Sequence, residues 1–91
     1  MDEQQSIVKT LWLYTYQRRS DDMTHLIYAI DEADAWAQAR AWKLARTETL
    51  YGETLESVPE GWFTGYVHAK GSLRCQPDGT PLENPYTKRD V

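Results

Sequence analysis

Few residues of this 91-residue chain carry side chains able to do covalent or metal chemistry. His25, His68 and Cys75 are its only imidazoles and thiol. Two histidines from adjacent strands can meet, but no HxH, CxxC or HExxH spacing gathers a ligand set, so the pattern points to no metal site. Nucleophilic catalysis needs Cys75 or a serine oriented by a histidine and a third group. Ser20, Ser57 and Ser72 all sit beside turns, without a recognisable nucleophile elbow. With 14 carboxylates, some near pairs arise by chance, so a two-carboxylate acid–base site has no specificity. Arg18-Arg19 is a candidate phosphate contact, yet Asp21-Asp22 beside it makes a self-compensating, solvated hairpin tip the simpler reading. The expectation is a non-enzymatic protein with no cofactor and no bound metal.

What the chain has in surplus is aromatic surface: four Trp and six Tyr against one Phe. Such residues join an apolar body to a polar tip and suit interfaces as well as cores. Their use depends on the elements that hold them. Ile7 to Tyr16 is rich in β-branched and aromatic residues and reads as a strand. Alternation places Ile7, Leu11 and Leu13 on one face and Val8, Trp12, Tyr14 and Tyr16 on the other. After a polar break at residues 18–22, Met23 to Ile30 reads as a second strand, antiparallel to the first. Leu26, Tyr28 and Ile30 share one of its faces; His25, Ile27 and Ala29 share the other.

Asp31 is a good helix N-cap, with Glu32 and Asp34 at the positive end of the helix dipole. Glu32 to about Tyr51 holds six alanines and no Gly or Pro, and Gly52 is a plausible stop. Winding at ~100° per residue groups Ala33, Trp36, Ala37, Leu44 and Tyr51 as the expected core stripe, with Ala41 at its edge. Trp42 falls on nearly the opposite side with Ala35, Ala39 and Arg46. Trp42 and Arg46 therefore form a candidate contact on the outer helix face.

Thr54 to Val58 reads as a short strand, followed by a turn at Val58-Pro59-Glu60-Gly61. Trp62 to Ala69 reads as one further strand, with Gly65 marking a bulge or a close backbone approach. Pro77-Asp78-Gly79-Thr80 is a strong turn, able to join two very short strands around Arg74–Gln76 and Leu82. Residues 84–91 read as a loose tail. The fold class is α+β: a small antiparallel sheet in ββαββ order with one long amphipathic helix on one face. Residues 1–76 form the single domain and residues 77–91 the turn and loosely ordered tail.

If Ile7, Leu11, Leu13, Phe63 and Val67 face the helix, then Trp12, Tyr14, Tyr16, Trp62, Tyr66 and His68 project on the uncovered side. A monomer rarely leaves so large an aromatic patch in water. Three partners compete for it: a second copy of the chain, a different protein, and single-stranded nucleic acid stacked on the rings. The net charge of −4 counts against nonspecific nucleic-acid binding, which draws its affinity from phosphate neutralisation. One cysteine excludes an intramolecular disulfide, the polar start lacks a signal-peptide pattern, and no apolar run spans a bilayer. A cytoplasmic protein that touches no membrane is expected. The leading expectation is a protein-interaction module, acting as a homodimer or as an acidic regulator or inhibitor of a larger protein. Nucleic-acid binding through the aromatic face is the alternative. The strand–strand–helix–strand order with an acidic helix start is similar in style to many small proteins of phages and mobile elements.

Overall fold

A twelve-residue strand, β1 (Ile7–Arg18), runs about 40 Å and organises everything else. The computed structural model describes residues 6–19, 21–46, 49–58, 61–63 and 66–88. Expectations resting on Met1–Gln5, Ser20, Pro59, Glu60, Thr64 and Gly65 lie outside the described residues. β1 pairs antiparallel with β2 (Asp21–Ala29) in one unbroken register, from Thr10 opposite Ala29 to Arg18 opposite Asp21. Both strands reach further into the polar tip than their hydrophobic pattern suggests. Only two residues separate them, and Arg19 takes the left-handed backbone (φ 59°) that so tight a reversal demands.

The helix α1 covers Glu32–Leu44. The Asp31 carboxylate caps it by accepting the Asp34 N–H at 2.8 Å, and Asp34 reaches back to accept the Ile30 N–H at 3.0 Å. The helix is 13 residues long, not twenty. Ala45 and Arg46 donate to the carbonyls three residues back, which tightens and closes the last turn. Beyond it, Leu50 enters the core and Tyr51 opens a strand, β3 (Tyr51–Val58).

Gly52 is thus not a helix stop. It lies in β3 with φ +58°, where Gly52 and Glu53 together face the single residue Tyr16 of β1. This is a β-bulge of the kind glycine permits. It resets the alternation, so that Tyr51 lies opposite Gln17, on the face away from Tyr14 and Tyr16. β5 (Ser72–Cys75) pairs with the first residues of β1, from Ile7 opposite Cys75 to Thr10 opposite Ser72. β3 and β5 therefore share one edge of β1 end to end, while β2 occupies the other.

The C-terminal segment forms a second, two-stranded sheet. β4 (Val67–Ala69) pairs antiparallel with β6 (Tyr86–Lys88), where the sequence suggests only a loose tail. Phe63 bridges to His68 in antiparallel fashion, which excludes one extended strand from Trp62 to Ala69. Gly61 passes so close to β4 that a Cβ on it would lie 2.1 Å from the Ala69 carbonyl oxygen. The turn at Pro77–Thr80 forms as its residues dictate: Gly79 (φ +96°) donates to the Gln76 carbonyl and Asp78 accepts the Thr80 N–H. The chain is a small α+β protein with an antiparallel sheet and one helix. Its strands number six among the described residues, two before the helix and four after it, so the simpler ββαββ order does not hold. No helix among the described residues is long and apolar enough to cross a membrane.

The sheet faces are the reverse of those expected. The helix side carries Tyr14, Tyr16, Ile27 and Ala29, which are buried in one cluster with Ala35, Ala39 and Leu50. Trp12, Met23, Trp36, Trp42 and Leu55 pack against that cluster. Ala35, Ala39, Trp42 and Arg46 follow a 4-3-4 spacing, a continuous helical stripe, and this is the inner face. Ala33, Ala37 and Ala41 are exposed, and Leu44 is 85% exposed. Leu11 lies on the opposite face of the sheet, as do Leu73 and Cys75, which pair opposite Lys9 and Ile7. All three are buried, as is Ala69 of β4. The second face is therefore partly closed by the chain's own C-terminal segment.

Candidate functional site

Three features of the structure have the chemistry to take part in function. The first is the aromatic cluster beneath α1. The Trp42 indole lies flat on the His25 imidazole, with ring centroids 4.5 Å apart and planes 17° apart. The Arg46 guanidinium carbon sits 4.8 Å from the Trp42 ring centroid, within cation–π range. Tyr16 and Tyr14 meet the same indole at 5.1 and 5.9 Å, and Trp36 meets Tyr14 edge-on at 6.2 Å. Burial, aided by the Arg46 charge, lowers the pKa of His25 below its ordinary value. Both effects favour the neutral imidazole as the stacking partner. The indole N–H of Trp12 is buried with no hydrogen-bond partner among the described residues.

At the margin of that cluster the Tyr14 hydroxyl donates to Glu53 Oε1, and Lys43 Nζ of α1 meets Glu53 Oε2 at 2.8 Å. Burial and then the Glu53 carboxylate push the Tyr14 pKa upward. The bonds from Lys43 and Tyr14 hold Glu53 below the usual carboxylate range. The arrangement fastens the helix end to β3 at the bulge. The Tyr14 hydroxyl and the Glu53 carboxylate are thus both engaged with partners.

The second feature is the joint between the sheet and the C-terminal lobe. The Tyr28 hydroxyl donates to the carbonyls of Lys70 and Pro85, at 2.5 and 3.1 Å. Burial pushes its pKa up to about 12. Glu83 receives Lys70 at 3.6 Å and Arg74 at 3.4 Å.

The third feature is the exposed apolar surface of that lobe. Trp62 is 37%, Phe63 40% and Tyr66 86% exposed, and Phe63 rests on the exposed His68 with ring centroids 4.7 Å apart. Leu82 and Tyr86 are exposed as well.

The residues singled out from sequence thus divide into two groups. Trp12, Tyr14 and Tyr16 do lie on one face, but it is the face the helix covers. Tyr14 is wholly buried and Tyr16 nearly so, which makes them core rather than an open surface. Trp42 and Arg46 are brought together, on the inner side of the helix and not its outer side. Trp62 and Tyr66 are exposed, but they flank β4 in the second sheet and do not join the other rings. Their neighbour Phe63, exposed beside them, is the residue sequence reasoning sent inward. No signal marks it, because strand alternation fails once the chain reverses between Phe63 and His68. His25, His68 and Cys75 occupy three separate settings: against Trp42, against Phe63, and buried in β5. No group of three metal-capable side chains occurs among the described residues. No family model, no curated protein and no solved structure matches the chain.

Proposed function

We propose that this chain is a non-enzymatic protein-interaction module, a small acidic regulator that docks on a larger protein through the C-terminal lobe. The observation that carries the reading is the run of exposed rings at Trp62, Phe63 and Tyr66, with Leu82 and Tyr86 also exposed on the same C-terminal segment. Exposed Trp and Tyr are the side chains most often found at the energetic centre of protein contacts. The net charge of −4 favours a partner with a basic surface and speeds encounter with it. Stacking of single-stranded nucleic acid on the sheet gains no support, because Tyr14 and Tyr16 lie under the helix.

The test is capture from lysate of the source cell with wild type and with Trp62→Ala/Tyr66→Ala. The reading expects a specific protein that is retained by wild type, released by salt, and lost with the double variant while the fold persists. Equal recovery by both chains, or by neither, overturns it.

A further inference from the structure

The two edges of the main sheet are treated differently. The edge formed by β3 is interrupted by the Gly52 bulge and carries Glu53 and Glu56, devices that discourage a further strand. The β2 edge has no bulge, no proline and no lysine, and its register against β1 is continuous over nine residue pairs.

The direction of its backbone groups follows from two contacts. The Leu11 N–H bonds to the Gly71 carbonyl, on the side of β1 away from β2. In an antiparallel ladder a residue's N–H and C=O point the same way, so Leu11 and its partner Tyr28 form a non-hydrogen-bonded pair. The N–H and C=O of Tyr28 therefore point outward, and Gln38 Nε2 indeed donates to the Tyr28 carbonyl at 2.9 Å from the helix side. By alternation the N–H and C=O of Asp22, Thr24 and Leu26 also point outward, where no strand pairs with them among the described residues.

We infer that β2 is a self-pairing edge and that its occupant is a second copy of this chain, bound antiparallel about a two-fold at Thr24. This inference uses a different surface from the C-terminal lobe and does not depend on it. Thr24 then pairs with Thr24 of the second copy and Asp22 with Leu26, giving six backbone hydrogen bonds and a continuous eight-stranded sheet. This register uses only the three residues whose outward groups are all open, and leaves the Gln38 contact intact. No two acidic residues of β2 oppose one another in it: Asp21 and Asp22 face Ile27 and Leu26. It also carries Arg19, exposed at the hairpin tip, alongside Ala29 of the second copy and towards the exposed Asp31 and Glu32 at its helix start. That is a complementary charge contact, made twice by symmetry. The two-fold stands perpendicular to the sheet, so the faces that carry Leu13 and Leu26, half-buried in one copy, lie on the same side of the dimer, away from the helices.

The experiment is light scattering at micromolar concentration on wild type and Thr24→Pro, with circular dichroism as the check on folding. The Thr24 N–H makes no bond to β1, so proline there removes outward donors while leaving the β1–β2 ladder whole. A wild-type dimer that becomes a folded monomer on this substitution is expected. A monomeric wild type overturns the inference, as does a folded Thr24→Pro variant that remains a dimer. Should proline unfold the chain, Thr24→Cys decides. Cα atoms about 5.5 Å apart at a hydrogen-bonded pair lie within disulfide range, so mild oxidation should crosslink two copies through this residue. Thr54→Cys on the guarded edge should not crosslink. Equal crosslinking of both, or of neither, overturns the proposal whatever becomes of the C-terminal patch.

Discussion

On the helix side of β1, Trp12, Tyr14 and Tyr16 stand beneath a helix whose buried residues are two alanines. On the other side, Leu11 shares its burial with Leu73, Cys75 and Ala69 of the C-terminal segment. One strand thus meets its two covers with opposite residue sizes. Small helix residues leave room that large rings fill at native density, while on the other face Leu11 is buried among smaller side chains, with the Tyr28 ring paired opposite it. Each side also uses one tyrosine hydroxyl as a fastener. Tyr14 ties the sheet to a Lys43–Glu53 ion pair, and Tyr28 ties it to two carbonyls of the lobe.

The comparison breaks first at Tyr14. Its ring is wholly buried and touches Tyr16, Trp36 and Trp42. Tyr14→Ala should cost about 3–5 kcal/mol, the range for emptying a buried aromatic site, and so a large share of a small domain's stability. Tyr66→Ala, at a ring 86% exposed, should leave stability within about 0.5 kcal/mol. Urea unfolding of both variants checks the contrast, and comparable losses would show that the lobe's rings are core too.

The lobe has its own weak point at Gly61, where a methyl group would meet the Ala69 carbonyl oxygen at 2.1 Å. Gly61→Ala should cost about 1–3 kcal/mol, as overpacking does. Hydrogen exchange should locate the damage in β4 and β6 and spare α1. Tyr28→Phe sharpens the same boundary at about 1 kcal/mol, the net worth of a hydrogen bond. It should quicken exchange at the β4–β6 amides while leaving those of β2 and α1 protected. Uniform quickening across both sheets would mean that the two sides unfold as one unit.

Much of the local structure was legible in the residues. The long apolar alternation of β1, the polar tip before β2, the Asp31 cap and the Pro77–Thr80 turn each follow from nearby side chains. Which face of β1 the helix covers did not follow, because alternation divides a strand into two sides without saying what lies over either. The helix offers two alanine-bearing stripes, one with Trp36 and one with Trp42, so apolar content alone does not choose between them. The spacing of Ala35, Ala39 and Trp42 is unbroken, whereas the competing stripe meets Arg40 between Ala37 and Leu44. Gly52 reads alike as a helix stop and as a bulge; the strand partner that decides between them is Tyr16, 36 positions away. The pairing of β4 with β6 joins segments about twenty residues apart, with no periodicity to announce it.

Protonation of His25 should separate the two sides most finely. Its folded pKa lies below the ordinary 6.5, chiefly through burial and then through the Arg46 charge, while Trp42 covers its ring. Between the folded and unfolded values the unfolded chain binds the extra proton, so its stabilising contribution is fully present above 6.5 and is lost as pH falls through the folded pKa. Thermal stability should therefore fall as pH drops below 6.5, a window set by histidine rather than carboxylates. Glu53, also held low, contributes in the same sense but only as pH falls below its ordinary 4.5. In a Trp62→Phe background, Trp12, Trp36 and Trp42 report on the helix side by fluorescence, whereas β4–β6 amide exchange reports on the lobe. The fluorescence transition should move with pH in this window while lobe protection holds, and His25→Phe should flatten it. A pH dependence that survives that substitution would place the titrating group elsewhere, and equal movement of both signals would join the two sides into a single cooperative structure.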